Sequence, residues 1–187
     1  MSKYLKLVTP AGTARYPWLT KPDTHHNPDG VYKTDLLLSS KEAKPLADQI
    51  KKFFQESYPD KKGKMPYSKE LDKDEKETGN IIFKFKTKTN KPALFDASGK
   101  PVQNVNVFAG SKIKVSSSAA VYNAGGNIGV TLYLNQVQII ELVTGDSNGQ
   151  QAFAFEPVEG YQHTEEVEQS FNTETETAVV DLSLIHI

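Results

Sequence analysis

Hydrophobic and polar residues alternate along several short stretches of the chain, a period of two that is typical of β-strands with one buried face. Four stretches show this alternation or are rich in β-branched and aromatic residues: 4–10, 31–38, 81–88 and 111–122. A fifth stretch, 128–142, is the longest, and its apolar positions change phase near Asn135, which predicts a β-bulge. The glycine-rich sequence NAGGN at 123–127 predicts the hairpin turn between the last two strands.

One stretch has a helical period instead. Its apolar residues follow the spacing i, i+4, i+7, i+8, i+12 at Leu46, Ile50, Phe53, Phe54 and Tyr58. This spacing predicts an amphipathic helix near 41–58. Ser39 and Glu42 have the spacing of a capping box at its start.

Three further segments have turn or loop composition. Residues 12–30 are rich in proline, include Trp18, the only tryptophan, and are predicted to form a long ordered loop or a set of turns. Residues 59–80 carry six lysines and six acidic residues, and are predicted to be a mobile charged insertion or long loop. The sequence DASGK at 96–100 predicts a turn between short β segments.

A single helix among several β segments predicts a mainly β fold. We expect an OB-fold, a five-stranded Greek-key barrel, with one inserted α-helix. The predicted domain covers residues 1–155.

Charge divides the chain into two parts. Residues 1–114 contain all 22 lysine and arginine residues and 13 acidic residues, a formal charge of +9, whereas residues 115–187 contain ten acidic and no basic residues. Residues 156–181 hold eight of these acids and are predicted to be a disordered acidic tail. The asymmetry points to a polyanionic partner, with which a tail of opposite sign can compete for the basic surface.

The last six residues, LSLIHI at 182–187, do not fit an acidic tail. They could be an apolar anchor for a partner. They also match a translation of the transposon-end adapter used in sequencing libraries, and we favour this artefact as the explanation.

The sequence contains little that indicates catalysis. It has no cysteine, which excludes disulfides and thiolate metal sites, and no apolar run of the length of a membrane span. His25 and His26 are adjacent and lack metal-binding spacing. No phosphate-binding loop and no nucleophile beside a base is present, so we expect neither an enzyme nor a cofactor.

Lysines interleaved with aromatic residues remain, most clearly in IIFKFKTKT at 81–89. One interpretation is a solvated strand face that also discourages edge aggregation. The other is a track for a polyanion, since proteins that bind single strands combine basic surfaces with aromatic platforms. The candidate platforms are Tyr16, Trp18, Tyr32, Tyr122 and Tyr133.

Six segments in fixed order resemble the single-stranded-DNA-binding proteins of short-tailed bacteriophages. They are GTARYPWLTKPD (12–23), DGVYKTDLLL (29–38), IIFKFKTK (81–88), DASGKPVQNV (96–105), GSKIKV (110–115) and LYLNQVQIIELV (132–143). The resemblance covers about residues 2–145. It implies an OB-fold and sequence-independent binding of single-stranded DNA in phage replication, recombination and strand annealing. It also implies a homodimer in the cytoplasm of the infected bacterium, whose acidic tail contacts the phage polymerase and helicase-primase.

The resemblance also assigns DNA contacts to particular residues. They are Lys84, Lys86, Lys112, Lys114 and Tyr122. The lysine alternation at 81–89 adds Lys88 as a candidate, and the list of aromatic platforms adds Trp18 and Tyr32. Three positions depart from the family pattern, with Ser116 in place of a lysine, Ala124 in place of a tryptophan and Asp29 in place of an arginine. These changes remove charge and stacking surface, and predict a weaker or differently routed DNA path. The alternative is a non-enzymatic OB-type module that binds protein or RNA.

Overall fold

Strands account for most of the secondary structure in the computed structural model, which describes residues 3–143. In this part of the chain the elements are, in order, β1 (Leu5–Val8), β2 (Gly12–Asp23), β3 (Val31–Ser39), α1 (Ser40–Ser57), β4 (Tyr67–Leu71), β5 (Glu77–Thr87), β6 (Ala93–Phe95), β7 (Pro101–Val102), β8 (Lys112–Ala124) and β9 (Asn127–Glu141). None of the helical structure in this part is long and apolar enough to cross a membrane. The predicted tail (156–181), the segment 182–187 and the predicted domain limit at 155 lie outside the described residues.

Five of the strands form a closed ring. β2 pairs with β3, β3 with β5, β5 with β9, β9 with β8, and β8 returns to β2 through Gly12↔Ile113 and Thr13↔Lys112. All of these pairings are antiparallel except β5–β9. This is the strand order of the predicted OB-fold. β1, β4, β6 and β7 extend the same sheet at its edges.

The predicted alternation sets the inside and the outside of the ring. On β5, Phe83, Phe85 and Thr87 are buried while Lys84 and Lys86 are exposed. Burying an aromatic side chain of this size contributes roughly 1.5–3 kcal/mol. The period of two therefore builds the core on one face and leaves a lysine row on the other.

Helix α1 packs its apolar face against one end of the barrel. Ala43, Leu46, Ile50 and Phe54 are buried, and the helix contacts β3, β5, β8 and β9. Ser39 is the N-cap, as the capping box predicted, and its hydroxyl accepts the Glu42 amide and donates to the Glu42 carboxylate at 2.8 Å.

The β8–β9 hairpin has the predicted turn and the predicted bulge. Gly125 and Gly126 form the turn with φ of 59° and 91°, a conformation that glycine adopts without strain. Ser116 pairs with Gln136 and Ser117 pairs with Leu134, so Asn135 is the extra residue of the bulge. The change of phase in the sequence is thereby confirmed.

The prediction that 12–30 is only loop was wrong, because this segment contains β2. Its pairing with β3 is interrupted between Arg15 and Trp18 and between Trp18 and Asp23. Pro17 and Pro22 lie in these interruptions, where a residue without an N–H is tolerated. The strand therefore accommodates prolines that the sequence pattern associates with loops.

Residues 59–80 also contain more regular structure than predicted. They include β4 and the beginning of β5, which form a hairpin. In its turn, the Asp72 carboxylate accepts the amides of Asp74 and Lys76 at 2.8 and 2.9 Å. Lys69 and Glu77 pair across the strands at 2.7 Å. The alternating charges thus form local contacts, which composition alone does not reveal.

Asp23 anchors the loop that follows β2. Its side chain is buried, lies 2.5 Å from the Lys33 ammonium group, and accepts the backbone amides of His25 and His26 at 3.0 and 3.4 Å. The hydrogen bond from Lys33 is the main reason that the pKa of Asp23 is lowered to about 2. The carboxylate therefore stabilises the folded state in its ionised form.

We expect Asp23→Asn to lower the melting temperature at neutral pH, since Lys33 and the two amides lose a charged acceptor. The pKa of Asp23 is about 2 in the folded protein, against 3.8 for the ordinary group. The stabilisation should therefore be complete above about pH 4 and fall away as the pH approaches 2. Melting temperatures of both proteins from pH 7 to pH 2 should converge at the acid end. A difference that stays constant to pH 2 would contradict the assignment.

Candidate nucleic-acid interface

The lysines of β5 project from the outer face of the barrel, as the alternation predicted. Lys84 and Lys86 are exposed, and Lys88, just after the strand, is exposed as well. Within residues 3–143, none of these three side chains forms an ion pair, so their charges are available to an external anion.

Strand register places Lys86 in a line of side chains that crosses six strands. The paired positions are Lys6↔Ser118, Ser118↔Tyr133, Tyr133↔Lys86, Lys86↔Lys33 and Lys33↔Trp18. We call this line the outer row; in order it contains Lys6, Ser118, Tyr133, Lys86, Lys33 and Trp18. Five steps between neighbouring strands of about 4.8 Å give it a length of about 24 Å. It combines cations with exposed aromatic rings, since Trp18 is 40% exposed and Tyr133 is 42% exposed.

A second line of paired residues, Lys84↔Asp35 and Asp35↔Arg15, runs beside the outer row. Burial raises the pKa of Asp35, although Lys84, Lys33 and Arg15 oppose this effect. Arg15 lies 2.7 Å from Glu70. Of the cations in this second line, Lys84 is therefore the one without an ion pair among the described residues.

Glu70 holds Arg15 from the β4–β5 hairpin. Its carboxylate accepts hydrogen bonds from the Thr78 hydroxyl at 2.6 Å and the Asn80 amide at 2.9 Å. These bonds, together with Arg15, keep the pKa of Glu70 below its usual value. The side chain is thus fixed as an anion, and Arg15 is less available to a ligand than Lys84 or Lys86.

The lysines of β8 lie on the outer face at a distance from the outer row. Lys112 is 3.9 Å from Glu141. Lys114 pairs with Gln138 and lines a shallow cleft of about 350 Å³ together with Val8, Phe95 and Ser116. Along β8, Lys114 is four residues from Ser118, or about 13 Å. The predicted β5 and β8 lysines thus share the outer surface but form separate groups.

The predicted aromatic residues are not all equally open to stacking. Trp18 lies in the outer row, whereas Tyr32 is half-buried and packs against the core. Tyr122 pairs with Gly129, where an added Cβ would lie 2.7 Å from the tyrosine hydroxyl, so its ring covers the glycine. Eight residues separate Tyr122 from Lys114, which corresponds to about 27 Å along β8.

The positions that depart from the family pattern are also placed by the structure. Ser116 pairs with both Val8 and Gln136. Ala124 is exposed at the end of β8, and Asp29 is exposed in the loop before β3. Lys6 pairs with Ser118, two residues along β8 from Ser116.

Four residues of the outer row were outside the main set predicted from the sequence. Lys6, Lys33 and Ser118 were not singled out, and Tyr133 was only one of several candidate platforms. The alternation in YLKLV and LYLNQ would have placed Lys6 and Tyr133 on an outer face. Their alignment with Lys86 depends on pairing between distant strands, which the sequence pattern does not specify.

No group of three or more potential metal ligands lies together within residues 3–143. The histidines His25 and His26 lie in the loop anchored by Asp23, with their rings in contact at 4.8 Å.

Comparison with known proteins gives a consistent result. No family model matches the sequence. The chain is 31% identical to the single-stranded DNA-binding protein of Enterobacteria phage T3 in an alignment of 198 positions, gaps included, which covers 85% of each chain. The crystal structure of gp2.5, the single-stranded DNA-binding protein of bacteriophage T7, superposes with a TM-score of 0.61 at 29% identity, covering 79% of this chain and 97% of that one.

A third match shows that the fold extends to distant sequences. The single-stranded DNA-binding protein of bacteriophage Enc34, solved in complex with single-stranded DNA, is 12% identical and superposes with a TM-score of 0.60. The match covers 76% of this chain and 88% of the Enc34 chain. With its barrel topology and its identity to the phage T3 protein, the chain belongs to the family of phage single-stranded DNA-binding proteins.

Proposed function

We propose that this protein binds single-stranded DNA without reading its sequence and catalyses no reaction on it. The observation that carries the proposal is the outer row, in which three lysines and two exposed aromatic rings lie in one line across six strands. The T3 and T7 relatives, which are named for binding single-stranded DNA, support it.

The chemistry of the row suits a flexible, charged strand. Lys86 and Lys6, with Lys84 beside the row, neutralise phosphates, which gives affinity that does not depend on base identity and weakens with salt. Tyr133 and Trp18 offer faces on which bases stack, each worth roughly 1–3 kcal/mol. Lys33 contributes less charge because Asp23 already neutralises it.

The family and the charge division of the chain support a wider role. We propose that the protein coats and anneals strands during phage replication and recombination, in the cytoplasm of the infected bacterium. The acidic tail would contact the phage polymerase and helicase-primase, and the protein would act as a homodimer. The formal charge of +9 in residues 1–114 and the absence of basic residues beyond Lys114 support a tail that competes with DNA.

We expect Lys84→Ala/Lys86→Ala to weaken binding to oligo-dT at least about tenfold at low salt. The slope of log affinity against log salt should fall by about 1.4, since each phosphate contact to a single strand contributes about 0.7. Fluorescence anisotropy over a salt series measures both quantities.

Lys51→Ala/Lys52→Ala is the matched control, because it removes two exposed charges from α1. If both double variants lose affinity equally, net charge rather than the β5 lysines carries the binding. Competition with duplex DNA and with RNA of the same sequence tests strand selectivity. Preference for RNA would favour an RNA-binding module instead.

Variants of Tyr133 and Tyr122 distinguish two paths for the DNA strand. If the strand follows the outer row, Tyr133→Ala should weaken binding by about tenfold through lost stacking, and Tyr133→Phe should retain most of the affinity. Tyr122→Ala should mainly lower the melting temperature, because the ring covers Gly129. Affinity and melting temperature are measured for all three variants. Loss of affinity in Tyr122→Ala alone would place the strand along β8.

Removal of the acidic end tests whether it competes with DNA for the basic surface. Truncation after Gly160 removes six acidic residues and no basic ones. We expect the truncated chain to bind oligo-dT more tightly at low salt, with the difference shrinking as salt screens the charges. Equal affinities for both chains at low salt would exclude competition by the tail.

A further inference from the structure

An open cleft of about 550 Å³ lies where β9 exchanges one neighbouring strand for another. Tyr133 pairs with Lys86 of β5, and Gln136 pairs with Ala93 of β6. Between them, Leu134 and Asn135 have no strand partner on this side among the described residues. The strand exchange and the bulge at Asn135 thus open a gap in the outer surface, beside Tyr133 of the outer row.

Amide side chains line this cleft. Asn135 donates from Nδ2 to the Ser118 hydroxyl at 2.8 Å, which orients its carbonyl oxygen as an acceptor. Asn90 and Gln136 also line the cleft, and neither side chain makes a hydrogen bond with another described residue. The cleft therefore presents both donors and acceptors that are not used within the described fold.

The lining suits a planar group with polar edges that is flanked by a phosphate. Of the eleven lining residues, Lys91 is basic and none is acidic. Tyr133 provides an exposed aromatic wall. Uncharged amides match the hydrogen-bonding edges of bases, and unstacked bases are recognised by stacking on aromatic rings together with such edge contacts. The volume falls within the range of about 300–1,000 Å³ that small-molecule sites occupy.

We propose that this cleft binds one unstacked base of the DNA strand, which stacks on Tyr133 and is hydrogen-bonded along its edge by Asn135, Asn90 and Gln136. Lys86 and Lys91 lie near the adjoining phosphates. The proposal rests on the proposed function. It adds one contact whose strength depends on the identity of the base, while the other contacts to the DNA strand do not depend on sequence. The β9 bulge is then part of the binding site.

The test compares homopolymers of one length. Asn90→Ala/Gln136→Ala removes two exposed amides that serve no other described contact, so the fold should be retained, and thermal unfolding checks this. We expect the affinities for oligo-dA, oligo-dC and oligo-dT to change unequally, shifting at least one affinity ratio about three- to tenfold, as expected for lost hydrogen bonds. Gln49→Ala/Gln55→Ala on α1 is the matched control and should leave all ratios unchanged.

A second measurement locates the base directly. Oligo-dT with 5-iodouracil should photo-crosslink to the peptide that contains Tyr133, as identified by mass spectrometry. Unshifted ratios in Asn90→Ala/Gln136→Ala, or crosslinks confined to peptides remote from Tyr133, would overturn the base site while leaving DNA binding intact. Absence of binding to any homopolymer by the unaltered protein would overturn the proposed function as well.

Discussion

The barrel and the candidate interface both depend on the parallel contact between β5 and β9. Two residue pairs define it, Phe85↔Leu132 and Lys86↔Tyr133. The first pair is buried and joins the two strands through the core. The second faces outward and brings a cation beside an aromatic ring. Because successive side chains alternate, closing the ring in this register places the two outward residues together automatically.

The basic side chains in and beside the outer row are of two kinds: some form ion pairs with carboxylates of the barrel, and others are available to a ligand. Lys33 and Arg15 lie beside the β5 lysines but are held by Asp23 and Glu70. Those carboxylates have lowered pKa values because hydrogen bonds favour their ionised forms. These two ion pairs join the end of β2 to β3 and β2 to β4, while Lys84 and Lys86 remain exposed. On this surface, basic residues that stabilise the fold thus lie beside basic residues that are available to a ligand.

The sequence predicts the parts of this arrangement that depend on local periodicity. Alternation placed Phe83 and Phe85 inside and Lys84 and Lys86 outside, and a change of phase located the bulge at Asn135. The sequence pattern did not predict β2, because prolines such as Pro17 and Pro22 are typical of loops. The strand tolerates them because its pairing with β3 is interrupted where they lie. The outer row could not be predicted, since the alignment of Tyr133 with Lys86 is a property of the assembled barrel. Nor could the sequence show that the Tyr122 ring covers Gly129, because this contact forms only when β8 and β9 pair in the hairpin.

The pairing of β1 with β8 has a consequence for how the chain folds. Leu5 pairs with Ala119, so β1 finds its partner strand only more than 100 residues later in the chain. β2 pairs with the nearby β3, but its contact with β8 through Gly12↔Ile113 is equally distant in sequence. Contacts between residues far apart in sequence raise the contact order and slow folding, because the chain must lose the entropy of closing a long loop before these contacts can form. During synthesis, Phe83 and Phe85 leave the ribosome before β8 and β9 exist to cover them. The nascent barrel is therefore exposed to aggregation at this stage. Lys84, between the two phenylalanines, and Lys86, directly after them, act as gatekeepers that disfavour pairing of the unfinished sheet with other copies of the chain.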